Sequence, residues 1–214
     1  MNEAGEPKGY VYFVLVRANT VLGRVARALG HYEYTHAAIC LDKPFRDFIT
    51  FSRRKHYDPF DCGFMHETLD CYAYGRHRRV KLKLHAVPVG EKELRAIRTY
   101  LKELEVGETS FNLYSMLTMG LLHGLPIAGS ENCMSFCARV LSLTGAVRLK
   151  KPYYRYDLRE LDCLLTEAGF FYREVTVGAP REETPGYMEP VPPIRVLKHA
   201  LELNAGLLRS LKDR

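Results

Sequence analysis

Short runs of apolar residues, separated by turn-forming residues, predict a small antiparallel sheet. Residues 10–16 are β-branched or aromatic almost throughout, which is typical of a buried strand. Strand patterns follow at residues 35–41, 48–51, 80–89 and 170–177. Between residues 53 and 79 the alternation fails, and Pro59, Gly63 and Gly75 interrupt it. We predict a loop-rich segment there.

Apolar residues spaced three and four apart predict the helices. They cover residues 21–29, 91–105, 113–122, 133–145, 157–169 and 194–211. Ser130 is the predicted N-cap of the helix that begins near Cys133. The chain is therefore expected to be α+β, with the small antiparallel sheet packed against that helix. Residues 1–177 form the predicted domain, and residues 178–214 form a proline-rich arm and a terminal amphipathic helix.

Composition narrows the class of protein. At 214 residues and 47% hydrophobic the chain is large enough to bury a core, and its net charge of +6 allows an anionic partner without requiring one. No apolar run approaches the roughly 18 residues of a bilayer span, so no transmembrane segment is expected. The acidic, polar N-terminus lacks the pattern of a secretory signal, which predicts a cytoplasmic protein.

The six cysteines are expected to be free thiols, because they are too sparse for a disulfide scaffold. They contain no Cys-x-x-Cys pair, so neither a zinc site nor any other cofactor is predicted. Cys133 lies in the first turn of a predicted helix, where free N–H groups and the helix dipole stabilise a thiolate. His36 begins an apolar strand, where a sheet would aim it as a general base. The alternative is a small buried cysteine and an ordinary core histidine, and spacing alone leaves both open.

Several segments resemble one protein superfamily. They are residues 9–25, Tyr34-Thr35-His36-Ala37-Ala38-Ile39, Phe51-Ser52-Arg53-Arg54, Gly63-Phe64-Met65-His66-Glu67 and Phe111-Asn112-Leu113-Tyr114. Together they are similar to the circularly permuted branch of the NlpC-type papain-like superfamily, which includes YiiX-like hydrolases and the lecithin retinol acyltransferase group. Cys133-Met134-Ser135-Phe136-Cys137 resembles the family's Cys-Ser-x-Phe-Val helix start, with the serine displaced by one place. The resemblance covers about residues 9–175.

This resemblance implies a papain-like fold in which Cys133 is the nucleophile and His36 the base. Cys137 is disfavoured because it occupies the family's apolar valine position. Family members orient the imidazole with a polar residue on the next strand, and here that strand offers Thr50 and Ser52, which lie on one face. Glu67 is the alternative carboxylate, although we expect it to be an ordinary surface acid.

The implied activity is a thiol hydrolase that cleaves an amide or ester bond through a thioester acyl-enzyme. The expected substrate is a peptide, an isopeptide or an acyl lipid, and Tyr34 and Tyr114 are candidates to line its cleft. An acyltransferase is the first alternative, and a catalytically inactive binding protein on the same fold is the second. The basic stretch within residues 53–79 is expected to be a solvated loop, not a nucleic-acid site. The last helix is expected to dock on the domain through its leucines, in preference to lying on a membrane.

Overall fold

The protein is described here by a computed structural model. It covers residues 9–41, 45, 47–73, 78–122, 124–178 and 186–212, without the side chains of residues 21, 22, 25, 26, 29 and 120–122. The helices are α1 (Val21–Gly30), α2 (Glu91–Val106), α3 (Leu113–Leu122), α4 (Cys133–Leu143), α5 (Leu158–Glu167) and α6 (Pro193–Lys212). The strands are β1 (Gly9–Arg17), β2 (His36–Leu41), β3 (Phe48–Lys55), β4 (Asp58–Glu67), β5 (Arg79–Val89), β6 (Ser110–Phe111), β7 (Ser130–Glu131) and β8 (Phe171–Gly178).

The fold is α+β, as the sequence predicts. Six strands form an antiparallel sheet in the order β4-β3-β2-β1-β5-β8, and β6 and β7 form a separate short parallel pair. The run of apolar residues in β1 reflects its central place, since it pairs with β2 on one side and with β5 on the other. The sheet has one strand more than the sequence predicts.

The additional strand is β4, and β3 runs on to Lys55, so the prediction of a loop-rich segment is wrong for residues 53–55 and 58–67. Strands β3 and β4 form a hairpin in which Phe51 lies opposite Phe64. β4 is an edge strand, and an edge strand tolerates Pro59 because one side of its backbone needs no ladder partner. Its outward polar residues hide the alternation on which a sequence-based prediction relies. Residues 74–77 of the same predicted loop lie outside the described residues.

Helix α4 packs across the sheet through aromatic contacts. The Phe136 ring lies 5.8 Å from the ring of Phe51 and 6.1 Å from that of Phe64, measured between centroids. Phe136 is fully buried, as are Val140 and Leu141 on the same helix. This large buried area fixes the direction of α4, and with it the position of the helix N-terminus.

Helix α6 docks on the edge of the sheet. Leu207 is fully buried, and His199 Nδ1 lies 2.6 Å from Oδ2 of the buried Asp58 on β4. Tyr114 of α3 donates a hydrogen bond to Asn204. The last helix therefore packs on the domain, but the prediction that it docks through its leucines holds for Leu207 and not for Leu197, Leu201 and Leu208, which are exposed. Within the described residues, no helix combines the length and apolar character needed to cross a bilayer.

Candidate active site

Cys133 and His36 meet in the folded chain. Cys133 is the first residue of α4 and His36 is the first residue of β2, whose register places it opposite Val16 of β1. The two side chains are joined by a hydrogen bond, and both are largely buried: Cys133 is 6% exposed and the His36 side chain 14%. Two residues that are distant in sequence thus form the pair that a thiol nucleophile and its base require.

Glu67 completes this arrangement from the other side of the imidazole. Its Oε2 lies 3.0 Å from His36 Nε2, and the Tyr72 hydroxyl donates to the same oxygen at 2.5 Å. Glu67 is the last residue of β4 and is 1% exposed. Because Nε2 is engaged by Glu67, Nδ1 is the nitrogen left to face the Cys133 thiol. A fixed imidazole with one nitrogen toward a carboxylate and one toward a thiol is suited to proton transfer.

The charges of this cluster are strongly coupled. Burial lowers the pKa of His36, but Coulombic attraction to Glu67 and hydrogen bonds with Cys133 and Glu67 outweigh it, and the pKa rises to about 10. Burial also opposes ionisation of Glu67, yet His36 and the hydrogen bonds from Tyr72 and Ser52 hold the pKa of this carboxyl below its usual value. We therefore assign an imidazolium–carboxylate pair at neutral pH.

The N-terminus of α4 supplies the other polar group of the site. Asn132 is its N-cap, and its Oδ1 accepts hydrogen bonds at 3.0 Å from the N–H groups of Met134 and Ser135. Ser130, the predicted cap, lies instead in β7. Among the described residues, nothing accepts a hydrogen bond from the Cys133 N–H. That single N–H, and not the whole first turn as expected, is free to bind an oxyanion.

The Asn132 cap is expected to control both stability and reactivity. Asn132→Ala removes the acceptor for two N–H groups and should lower the free energy of unfolding by about 1 kcal/mol. Asn132→Asp keeps an acceptor, so stability should remain near that of the wild type, but its negative charge disfavours a neighbouring thiolate. Denaturant unfolding and the alkylation rate of Cys133 separate these effects. Equal alkylation rates in the Asp variant and the wild type would contradict this assignment.

The structure places the other predicted site residues differently. Thr50 is fully buried, and its hydroxyl donates to the Ala37 carbonyl at 2.7 Å instead of to the imidazole. Ser52 hydrogen-bonds Glu67 and so acts on the carboxylate that contacts His36. The expectation that Glu67 is a surface acid is wrong. Glu67 is the residue named as the alternative carboxylate, but it ends a strand that the sequence pattern does not reveal, so the pattern favours a surface position.

The two tyrosines proposed to line the cleft are engaged elsewhere. Tyr34 is 4% exposed and donates its hydroxyl to Glu174 of β8, while Tyr114 bonds Asn204 of α6. The groups that pack around Cys133 are instead apolar and mostly sulfur-containing. Met119 and Met134 form a buried cluster with the nucleophile, and Met116 and Leu158 pack against it. A group bound beside Cys133 therefore meets flexible apolar side chains.

A cavity of about 390 Å³ lies along the same helix, but it does not contain the pair. Ser135 and Arg139 line it, whereas Cys133 and His36 do not. Arg139 sits over the rings of Tyr100 and Tyr153, 5.0 and 5.2 Å from their centroids, and is 3.7 Å from Glu131. The Arg139 guanidinium is thus already paired with groups of the protein itself. No group of three or more His, Cys, Asp or Glu side chains in the described part of the chain is arranged to hold a metal ion.

Comparison with protein-family models, with curated proteins and with solved structures finds no match for this chain. The site itself therefore carries the argument about function. Its chemistry rests on three side chains: the buried thiol of Cys133 at a helix N-terminus, the imidazole of His36, and the buried carboxylate of Glu67 behind that imidazole.

The His36–Glu67 pair should also make stability depend on pH. Glu67, whose pKa is lowered, stabilises the fold above its usual pKa of 4.5 and loses this effect as pH falls through its folded value. His36, whose pKa is raised, stabilises the fold fully below 6.5 and loses this effect as pH rises through about 10. Glu67→Gln should therefore cost most between pH 4.5 and 6.5, where we expect about 3 kcal/mol.

Urea unfolding of wild type and Glu67→Gln across this pH range measures the effect. Glu103→Gln, at an exposed carboxylate of α2, is the matched control and should leave stability nearly unchanged at every pH. A loss for Glu67→Gln that stays constant from pH 5 to pH 10 would exclude an ion pair at this position.

Proposed function

We propose that the protein is a thiol hydrolase that cleaves amide or ester bonds through an acyl-enzyme on Cys133. The observation that carries this proposal is the contact chain Cys133–His36–Glu67, with the carboxylate 3.0 Å from the imidazole. This order of groups is the one that nucleophilic catalysis by cysteine requires. A papain-like arrangement, similar to the permuted NlpC-type branch, belongs to the same proposal.

The proposed reaction has two steps. The Cys133 thiolate attacks the carbonyl carbon, and the Cys133 N–H stabilises the oxyanion of the tetrahedral intermediate. The His36 imidazolium gives its proton to the departing amine or alkoxide as the C–N or C–O bond breaks, which leaves a thioester on Cys133. Neutral His36 then takes a proton from water as the water attacks the thioester. Collapse of that intermediate releases the carboxylic acid and regenerates the thiolate–imidazolium pair.

Glu67 has a distinct part in this scheme. Its carboxylate holds the imidazole in one orientation and stabilises the imidazolium that exists in the resting pair. The catalytically inactive binding protein, our earlier alternative, gained weight only from the expectation that neutral Thr50 or Ser52 orients His36. A buried carboxylate at hydrogen-bonding distance removes that support, since burying such an ion pair costs free energy and ionisable groups with shifted pKa values are concentrated at functional sites.

The methionine cluster favours one second candidate, an acyltransferase or hydrolase that takes acyl lipids. Met116, Met119 and Met134 offer an adaptable apolar surface to the group attached to the carbonyl. In a transferase, an amine or alcohol replaces water in the second step, and His36 deprotonates it in the same way. Peptide and isopeptide substrates with an apolar side chain at this position fit the same surface.

Trapping the acyl-enzyme tests the proposal. The wild-type protein is mixed with p-nitrophenyl esters of acyl groups of increasing length and with p-nitroanilides of apolar amino acids, and the mass of the intact protein is followed. We expect a burst of nitrophenol and an acyl mass increment on Cys133, with longer acyl groups reacting faster. No acylation of Cys133 by any ester, with label spread over other cysteines, would overturn the proposal.

A further inference from the structure

The outer face of α6 carries an apolar stripe that the domain does not cover. Four side chains on this face are largely exposed: Ile194 (75%), Leu197 (55%), Leu201 (64%) and Leu208 (50%). They are separated by three, four and seven residues, so they lie on one side of the helix. Leu207, which docks on the domain, is buried one residue before Leu208, so its side chain points about 100° away from that of Leu208 around the helix. The stripe runs along most of this 20-residue helix.

Exposed basic residues border the stripe. They are Arg195, Lys198, Arg209 and Lys212. Lys198 and Lys212 each follow an apolar stripe residue by four positions, which places them beside it on the helix surface. Glu202 is the only acidic residue of α6, and it pairs with Lys198 at 3.6 Å. The stripe thus combines apolar area with a local positive charge.

This combination decides what can cover the stripe. A second copy of the chain would bring the same four basic side chains against one another, and like charges at close range are unfavourable. A bilayer with anionic headgroups matches both the apolar area and the positive charge. The leucines enter the headgroup–acyl boundary while the lysines and arginines remain among the phosphates. We propose that the Ile194–Leu197–Leu201–Leu208 face of α6 docks the protein on the surface of an anionic lipid bilayer.

Sedimentation with lipid vesicles tests this docking. The full chain is incubated with vesicles of phosphatidylcholine alone and of phosphatidylcholine containing phosphatidylserine, at low and at physiological salt. We expect binding that needs phosphatidylserine and weakens as salt rises. The assay does not depend on turnover, so the Cys133→Ala variant should bind as the wild type does. A failure of docking is therefore distinguishable from a failure of the proposed hydrolase activity.

Two sets of variants locate the contact. Leu197→Ser with Leu201→Ser removes exposed apolar area and should weaken vesicle binding about tenfold or more. Lys198→Glu with Arg209→Glu should weaken binding to the phosphatidylserine vesicles by a similar factor. Matched controls lie on α2: Val106→Ser, at a side chain 78% exposed, and Lys102→Glu should bind as the wild type does.

Four results would overturn the proposal. The first is equal binding, or none, to both kinds of vesicle. The second is wild-type binding by both α6 variants. The third is a concentration-dependent dimer in sedimentation velocity that the leucine variant abolishes, which would assign the stripe to a second copy of the chain. Saturable binding of an acidic protein through the same residues, without vesicle binding, has the same consequence.

Discussion

Replacing Cys133 with alanine is expected to abolish ester and amide turnover, with kcat/KM reduced by at least about 10⁴-fold. The thiol supplies the bond-forming atom in the proposed first step, and no other described thiol is placed beside His36. Steady-state hydrolysis of the best p-nitrophenyl ester found by acyl trapping measures the loss. The same variant should show no acyl mass increment.

Cys137 provides the matched control, because it lies one helical turn further along α4 and is also buried. Cys137 packs among core residues, and burial raises the pKa of its thiol well above the usual value. Cys137→Ala should lose some stability through the small cavity it leaves, but it should keep its turnover at a temperature where it is folded. Equal losses in the two variants would contradict the assignment of Cys133 as nucleophile.

His36→Ala is expected to lower kcat/KM by about 10³-fold at neutral pH. The change removes both the positive charge beside the thiol and the proton donor for the leaving group, so acylation should suffer more than deacylation of a preformed thioester. Turnover is measured on the ester and on the corresponding p-nitroanilide. The anilide should show the larger loss, because its leaving group depends more on protonation than nitrophenolate does. His66→Ala is the control, because His66 lies beside Glu67 on β4 and points to Asp47 at 2.8 Å.

His66→Ala should retain wild-type turnover on both substrates. A loss for His36→Ala that is equal for ester and anilide would argue against proton transfer by this imidazole. Recovery of turnover by added imidazole would support it, since a small base fills the vacated position.

The sequence predicts the central strands and the amphipathic helices for a clear physical reason. β1 and β2 are buried on both faces and so carry continuous apolar runs, while α2 and α5 have one buried face at a period of 3.6 residues. β4 has neither a continuous apolar run nor a regular period of apolar residues. It is an edge strand that carries Asp58, Asp61 and His66, and it is held by its hairpin partner and by α6, both of them tertiary contacts.

The candidate site is likewise predictable only in part. Cys133 is visible because a helix N-terminus is a local feature, and His36 because it begins a strongly apolar strand. Their contact depends on how α4 crosses the sheet, which Phe136 fixes through Phe51 and Phe64. Glu67 is named only as an alternative, and its burial beside His36 is not predictable because β4 is not. The family resemblance and strand alternation point to Thr50 and Ser52, but the buried Thr50 hydroxyl donates to a backbone carbonyl.

The rate of alkylation by iodoacetamide as a function of pH, resolved for each cysteine by mass spectrometry, tests the central claim most directly. A free thiol, with a pKa of about 8.5, is almost fully protonated at about pH 6. We expect Cys133 to react selectively at that pH in the wild type and to lose this advantage in His36→Ala. Alkylation of Cys133 no faster than that of the exposed Cys163, in both proteins, would contradict an activated thiol–imidazole pair.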